Sequence, residues 1–476
     1  MMNRRFIDLL SQTYTWPQPG LDVSNHGTLK FHGLDLFDLA KEYGTPLRFH
    51  HIPSIRRAVE QANGWFDQAI QAHQYQGEYI PAFATKSSPF RFALEETTKA
   101  GCHIETSSAV DLEIVQWLLA NDFISSEAYI LCNGFKSDRY LDAILRLHKQ
   151  GMQNLICILD NELEAQKLLD SEPNGLKIGF RVATEEDPSF EFYTSRLGMK
   201  STEIMELVAS FSDSKVLVPV MIHFFINTGI RDTAYFWNEF IKACRLYTEA
   251  SRVCSSIQLF NIGGGLPIKK SLDVDVDQAS IIRQLVGQIK LTCEEVDTPH
   301  PTIMSEFGSF YVGESGGLLM NVVLQKSQND RERWNMLDGS IMSNLPDAWA
   351  ISQRFITLPT NGWFEDFERV SLGGMTCDGD DYYNDQGSIT LSSSSSATDQ
   401  EVHHLYMPTL AKTQELFVAF LHTGAYQETV GGYGGLQHCL LPEPKHVLVR
   451  EIEGKTSVEL FRDPADSTSI LSTLGY

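Results

Sequence analysis

Short apolar runs alternate with helical patterns along more than half of the chain. Runs rich in β-branched or aromatic residues recur eight times, and segments with apolar residues at helical spacing separate them. The runs are Tyr79–Lys86, Cys102–Ser107, Tyr129–Gly134, Leu155–Asp160, Ile178–Val182, Val220–Ile226, Leu259–Gly264 and Thr302–Glu306. Strands joined by helices pair in parallel, so eight units predict an α/β fold closed into a (β/α)8 barrel of the TIM type. The alternative is an open, doubly wound sheet.

The pattern changes after about residue 320, where short apolar runs follow one another without long helical patterns between them. This is typical of a β-rich domain, either a sandwich or a barrel. We therefore predict an N-terminal arm at 1–48, a barrel at 49–320 and a C-terminal β domain at 321–476, with part of the arm joining the β domain. The polar, Ser-rich stretch 385–400 predicts a surface loop or hairpin tip.

The charge balance limits the partners of the protein. The formal net charge is -23 at pH 7, which argues against nucleic acid and against an anionic membrane surface. A small cationic substrate suits this charge better. No stretch approaches the roughly 18 apolar residues of a membrane span.

The cysteines indicate a reducing compartment. The eight cysteines are scattered and form no C-x-x-C pair, so we predict free thiols and no metal site. The N-terminal apolar run is too short for a signal peptide. We therefore expect a cytoplasmic protein.

A lysine closes the first predicted strand, in PAFATKSSPF at Lys86. Catalytic groups of barrels lie at the carboxyl ends of the strands. An amine at such a place, with a lowered pKa, can form a Schiff base with an aldehyde cofactor. Taken alone, Lys86 is as readily explained as a surface lysine.

Two further strand ends carry residues that suit a phosphorylated cofactor. The residues Gly263, Gly264 and Gly265 follow the seventh strand, where backbone amides can approach a phosphate closely. Glu306 ends the eighth strand, where a carboxylate can pair with a protonated pyridine nitrogen. The plain alternatives are a tight turn for the glycines and a carboxylate bonded inside the barrel mouth for Glu306.

Three residues of the β domain are weaker candidates. Cys377 and Asp378 lie in LGGMTCDGDDYY, where a thiol can donate a proton and an acid can bind a cation. Tyr426, in HTGAYQE, follows an apolar strand and can hydrogen-bond a phosphate. An acidic surface turn and a packed tyrosine are the alternatives.

The order of these motifs resembles that of the alanine-racemase-type (fold type III) pyridoxal-phosphate decarboxylases, and most of all the biosynthetic arginine decarboxylases. The resemblance extends from about residue 76 to residue 462. It rests on FATKSSP around Lys86, HIETSS around Glu105, LCNGFK around Asn133, FRV at Arg181, SRLGM at 196–199, HFFINTG at 223–229, IGGG, SEFG, NLPDAW at 344–349, TCDGDD and GAYQE. The lysine, glycine and glutamate positions are shared by the fold class, whereas NLPDAW and GAYQE are specific to the arginine branch.

The resemblance implies that pyridoxal 5'-phosphate is the cofactor and assigns residues to it. Lys86 is similar to the Schiff-base lysine and Glu306 to the partner of the pyridine nitrogen. The three glycines and Tyr426 are similar to phosphate ligands.

The resemblance also has three departures. Phe225 stands where relatives carry a histidine that stacks on the ring, and a phenyl ring can stack as well. Asn227 and Thr228 replace a Gly-Ser pair, and the Thr228 hydroxyl can still reach the phosphate. Ser309 replaces an arginine, which should weaken phosphate binding or shift it to other groups.

The acidic loop is implied to act between subunits. Cys377 resembles a proton donor, and Asp378 a substrate ligand, that reach the cofactor of the partner in a homodimer. Asp380 and Asp381 lie in the same loop, so we count Asp380 as a second substrate ligand.

The resemblance implies decarboxylation of a basic amino acid, with L-arginine converted to agmatine and carbon dioxide. Ornithine, lysine and diaminopimelate remain as alternative substrates, although an acidic loop suits the distal carboxylate of diaminopimelate poorly. A catalytically weak paralogue that binds a regulatory partner is the alternative of another class.

Overall fold

The computed structural model describes residues 5–186, 193–231, 233–272, 276–329, 332–385, 405–411, 414–431 and 437–476. Apart from Asp385, the Ser-rich stretch 385–400 lies outside these residues. The chain divides into two compact units. The barrel unit comprises 54–268 and 276–312, and the β unit comprises 1–53, 269–275 and 313–476.

The strands are numbered here in chain order through both units. They are β1 (Leu21–Val23), β2 (Leu29–Phe31), β3 (Leu34–Asp35), β4 (Leu47–His51), β5 (Tyr79–Ala84), β6 (His103–Thr106), β7 (Tyr129–Cys132), β8 (Asn154–Leu159), β9 (Leu176–Arg181), β10 (Leu217–His223), β11 (Leu259–Asn261), β12 (Thr302–Glu306), β13 (Gly316–Ser327), β14 (Arg333–Leu337), β15 (Ile356–Pro359), β16 (Phe367–Arg369), β17 (Ser371–Gly373), β18 (Tyr382–Tyr383), β19 (Tyr406–Pro408), β20 (Phe417–Leu421), β21 (Lys445–Ile452) and β22 (Lys455–Arg462).

The helices follow the same numbering. They are α1 (Phe6–Thr13), α2 (Leu36–Tyr43), α3 (Ile52–His73), α4 (Arg91–Lys99), α5 (Ala109–Ala120), α6 (Asp138–Lys149), α7 (Glu162–Asp170), α8 (Ser201–Phe211), α9 (Ala234–Val253), α10 (Gln278–Glu295), α11 (Ser309–Val312), α12 (Ile341–Asn344), α13 (Pro346–Ala350) and α14 (Ser467–Leu474). Short 3-10 turns occupy Thr85–Ser87, Gly313–Ser315 and His438–Leu440. No helix among the described residues is long and apolar enough to cross a membrane.

The eight strands β5 to β12 form a closed parallel barrel, with β12 hydrogen-bonded to β5. Each of the eight predicted runs overlaps one of these strands, so the predicted fold class is confirmed. Side chains cap the barrel helices where the chain leaves a strand: Ser108, Ser137, Asn161 and Thr233 each accept a hydrogen bond from an amide in the first helical turn. The helices α5 and α7 start three residues after β6 and β8 end, whereas α6 and α9 start six and eleven residues after β7 and β10 end.

The interior of the barrel is packed with apolar side chains. They are Ala82, Leu131, Ile156, Ile158, Met221, Leu259 and Met304. The barrel is therefore a core and not a pore, and polar groups are confined to the ends of its strands.

The β unit is built around one large sheet, in which the N-terminal strand β4 lies between β13 and β21. The β-rich domain thus includes part of the N-terminal arm, as predicted. Alternate residues of β13 and β20 enter two separate apolar cores: Leu319 and Ala419 pack into one, and Leu318 and Val418 into the other. Both faces of the sheet are buried, which explains why its central strands read as continuous apolar runs.

Candidate active site

Lys86 lies at the mouth of the barrel, in the 3-10 turn Thr85–Ser87 that directly follows β5. Its Nζ atom is 3.2 Å from both carboxylate oxygens of Glu105. The two residues meet because β5 and β6 are neighbours and Ala84 is aligned with Glu105. The Lys86 side chain is 45% exposed, whereas that of Glu105 is fully buried. The amine is therefore accessible to a ligand while an anion holds it in place.

The buried Glu105 carboxyl has a raised pKa. Burial is the main cause, Lys86 opposes it, and the neighbouring charge of Glu306 adds to it, which together raise the pKa of Glu105 to about 7. The pair of Lys86 and Glu105 can thus hold or release a proton near neutral pH.

Glu306 ends β12 and is held by the ends of three other strands. Its Oε1 accepts a hydrogen bond from Asn261 Nδ2 at 2.7 Å and lies 3.1 Å from His223 Nε2. Its Oε2 accepts from Asn133 Nδ2 at 3.2 Å. The residues come together because the carboxyl ends of all parallel strands face the same end of the barrel. Both carboxylate oxygens of the buried Glu306 side chain therefore accept hydrogen bonds.

The neighbours of Glu306 keep it ionised. Burial alone would raise the pKa of Glu306, but His223, Lys86 and Asn261 outweigh burial and lower the pKa to about 2. Burial also lowers the pKa of His223, although Glu306 opposes this. The site therefore offers a buried, ionised carboxylate at neutral pH.

Arg181 ends β9 and brings a cation to the same region. Its Nη1 donates to Asn133 Oδ1 at 3.3 Å, and its guanidinium lies 5.3 Å from the centre of the Phe225 ring. Phe225 is half-buried and follows β10 by two residues. Arg181 therefore lies over one face of the Phe225 ring.

The glycine run after β11 is dictated by close backbone contacts. Gly263 and Gly265 have φ values of +71° and +98°, which favour glycine. A Cβ atom on Gly264 would lie 2.7 Å from the Glu306 carbonyl oxygen, and one on Gly265 would lie 2.8 Å from the Cα of Gly229. Thr228 directly precedes Gly229, so its turn and the glycine run are packed together.

Several polar groups at the mouth lack partners within the protein. Among the described residues, the backbone amides of Gly264 and Gly265 donate to no acceptor. Five buried side-chain atoms at or next to strand ends likewise have no partner there: Thr85 Oγ1, Ser88 Oγ, Ser107 Oγ, Arg181 Nε and His223 Nδ1. Buried polar groups are normally paired, so this concentration indicates a site built for a polar ligand.

The remaining predicted residues belong to the β unit. Cys377 and Asp378 are exposed, and Asp378 Oδ1 accepts from the Asp380 amide at 2.9 Å. Asp381 is buried and stabilises this loop. Its two carboxylate oxygens accept hydrogen bonds from the backbone amides of residues 341, 342 and 376 and from the Thr376 hydroxyl. Asp381 is thus not available to bind a substrate.

Tyr426 lies in a turn, five residues after β20 ends at Leu421. Its φ is +67°, and its carbonyl oxygen accepts from the amides of Thr429 and Val430. The structure thus brings Lys86, Glu306 and the glycine run together in the barrel unit, together with Thr228 and Phe225.

Sequence analysis assigned no role to the polar residues that surround Lys86 and Glu306. These are Glu105, Asn133, Arg181, His223 and Asn261. Each is a polar residue at the end of an apolar strand run, and that position was the signal that could have found them.

The model of a family described as "Pyridoxal-dependent decarboxylase, pyridoxal binding domain" matches residues 59–313. The chain belongs to this family. Membership confirms the resemblance stated above and the cofactor that it implied, pyridoxal phosphate.

Curated relatives include arginine decarboxylases. Arginine decarboxylase 1 of Arabidopsis thaliana is 25% identical over 354 residues, which cover 67% of this chain and 50% of the relative. The biosynthetic arginine decarboxylase of Prochlorococcus marinus subsp. pastoris is 24% identical over 317 residues, or 61% of this chain and 48% of the relative. The chain spans about half the length of the curated relatives that it matches.

Solved structures show the same fold. The biosynthetic arginine decarboxylase SpeA of Campylobacter jejuni superposes with a TM-score of 0.79 at 19% identity, covering 97% of this chain and 91% of that one. A diaminopimelate decarboxylase of M. jannaschii superposes with a TM-score of 0.76 at 18% identity, covering 95% and 97%. The two-unit architecture is therefore that of this family of decarboxylases.

The residues at the barrel mouth fit pyridoxal phosphate. Lys86 presents an accessible amine for the aldehyde, and Glu306 a buried carboxylate for the ring nitrogen. The unpaired amides of Gly264 and Gly265 suit a phosphate.

Proposed function

We propose that the protein decarboxylates a basic amino acid and that its substrate is L-arginine, which it converts to agmatine and carbon dioxide. The observation that carries the proposal is the ionised, buried Glu306 carboxylate, held by Asn133, His223 and Asn261 in the same barrel mouth as the Lys86–Glu105 pair. Family membership and the names of the curated relatives support it.

When bound, pyridoxal phosphate would supply an aldehyde for the substrate amine and a ring that accepts the electron pair left on the α-carbon when carbon dioxide departs. In this proposal Lys86 anchors the cofactor through Nζ, and Glu105 holds that amine in position. Glu306 keeps a proton on the ring nitrogen, which makes the ring a better electron acceptor. Phe225 packs on the ring.

We assign the phosphate to backbone amides of the glycine run and to the hydroxyls of two residues that lie in turns. Within the run Gly263, Gly264 and Gly265, the amides of Gly264 and Gly265 bind it, because the Gly263 amide already donates to Asn261 Oδ1. The hydroxyls of Thr228 and Tyr426 add two donors. Ser309 cannot replace the arginine of relatives, so the amides carry more of the binding.

The β unit is assigned to the substrate. We propose a homodimer in which Cys377 Sγ gives a proton to the α-carbon at the partner's cofactor. The carboxylate of Asp378, assisted by Asp380, binds the guanidinium in two parallel hydrogen bonds. The exposure of both acids supports this assignment.

A product assay over arginine, ornithine, lysine and diaminopimelate tests the proposal. We expect the purified protein to absorb visible light and to release carbon dioxide fastest from arginine. Faster turnover of ornithine or lysine would overturn the substrate and leave the decarboxylase standing. Release from none of the four, by protein that retains its visible absorbance, would overturn the activity.

A further inference from the structure

Three metal-ligating side chains lie together on the surface of the β unit. They are Cys377, which follows β17, and His438 and Cys439, which lie in the 3-10 turn before β21. One ligand atom of each residue lies within 4.8 Å of the others, and all three residues are exposed. The two sulfur atoms are 3.5 Å apart. The fold thus joins residues that are 62 positions apart in the chain.

The spacing of the two sulfurs suits a shared metal ion. A tetrahedral zinc ion with Zn–S bonds of about 2.3 Å holds its two sulfurs roughly 3.7 Å apart. The observed 3.5 Å is close to that value and far from the roughly 2.05 Å of a disulfide. A histidine next to the second cysteine then supplies a third ligand of the type that zinc prefers.

A nearby carboxylate can complete the coordination. Asp378 Oδ2 lies 4.0 Å from His438 Nε2. Ligand atoms on one tetrahedral zinc ion lie roughly 3.3 Å apart for nitrogen and oxygen, so a shift of about 1 Å or less suffices. Two thiols, an imidazole and a carboxylate then surround one position.

We propose that Cys377, His438 and Cys439 bind a zinc-type divalent cation, with Asp378 as the fourth ligand. The proposal that these residues bind a metal ion does not depend on the proposed function. Its effect on catalysis rests on that function: the ion occupies the Cys377 thiol and the Asp378 carboxylate, and so it inhibits decarboxylation reversibly.

The experiment uses the full-length protein with its cofactor and titrates it with Co²⁺, whose visible bands report tetrahedral thiolate ligation, and with Zn²⁺ against a chelating dye. We expect one ion per chain. Cys439→Ser and His438→Ala each remove a ligand, so each should weaken binding by at least the roughly 10- to 100-fold that loss of an outer-shell partner costs. His26→Ala is the matched control, because His26 is exposed and lies outside the cluster, and it should bind like the wild type. Unchanged thermal melting shows that the variants fold.

Activity separates the two proposals. Zn²⁺ should inhibit the wild type and the His26→Ala variant, whereas Cys439→Ser should keep its basal activity and resist inhibition. No tetrahedral Co²⁺ spectrum after full reduction of the thiols, or equal affinity in Cys439→Ser, overturns the metal site. If the two cysteines have formed a disulfide and its reduction restores no Co²⁺ binding, the metal site is likewise overturned. A Co²⁺ spectrum in a protein that decarboxylates nothing leaves the site intact and removes the function.

Discussion

Replacing Glu306 by glutamine removes one charge and leaves the size of the side chain nearly unchanged. The wild-type carboxylate accepts from Asn261 through Oε1 and from Asn133 through Oε2. A glutamine amide has only one oxygen, so either orientation points its NH₂ group at the NH₂ group of an asparagine.

The two asparagines cannot turn over to accommodate the new amide without loss. Asn261 Oδ1 accepts from the Gly263 amide at 2.9 Å, and Asn133 Oδ1 accepts from the Gly134 amide at 2.8 Å. One buried hydrogen bond is therefore lost in any arrangement, which costs about 1–3 kcal/mol of folding free energy. This is less than the roughly 5–15 kcal/mol by which folded proteins are stable, so the Glu306→Gln variant should fold.

The catalytic loss should be larger than the folding loss. Removing one partner of a buried charged pair costs about 2–5 kcal/mol, which corresponds to about 30-fold to several thousandfold in rate. The variant can no longer keep the proton on the ring nitrogen, so we expect kcat for arginine to fall by that factor while the Lys86–cofactor bond still forms.

The assay compares kcat, the visible absorbance reduced by borohydride, and thermal melting in the wild type and in Glu306→Gln. Glu306→Asp is the matched control, because it keeps the charge on a shorter side chain, and it should recover part of the lost rate. A kcat for Glu306→Gln within twofold of the wild type would refute the assignment of Glu306 to the ring nitrogen.

Four further predictions follow from the same residues. Lys86→Ala should abolish the borohydride-sensitive visible absorbance, and a variant that keeps it would place the anchor on another lysine. Mixing inactive Lys86→Ala and Cys377→Ala chains should restore part of the activity, because one mixed site holds both intact residues; no recovery despite proven subunit exchange would place each site within one chain. Asp378→Ala should depress kcat/KM for arginine by about 30-fold or more if the pair is buried on binding and change turnover of a short apolar amino acid little, whereas equal turnover of arginine would move specificity elsewhere. Because burial raises the pKa of Glu105 from 4.5 to about 7, the folded state binds more protons than the unfolded state between those values. The free energy of unfolding of the cofactor-free wild type should therefore fall, relative to Glu105→Gln, as the pH rises through that window, and a constant difference in urea unfolding would contradict the raised pKa.

The alternation of strands and helices was predictable from the sequence because it is a local property. A period of two or of 3.6 residues, and the polar residue that closes each run, can be read within a window of about 15 residues. That pattern gave the eight strands of the barrel and placed Lys86 and Glu306 at strand ends. Several strands end one to three residues earlier than predicted. For example, β5 ends at Ala84 and β11 ends at Asn261.

Only the closed barrel decided which polar residues at the strand ends contact one another. The contact between Glu306 and Asn133 joins residues 173 positions apart, and it exists because β12 closes onto β5. Likewise, the loop acids looked equivalent in the sequence, but the fold buried Asp381 under four hydrogen bonds and left Asp378 exposed. Contacts of this kind depend on closure, strand register and burial, and no local pattern of residues encodes them.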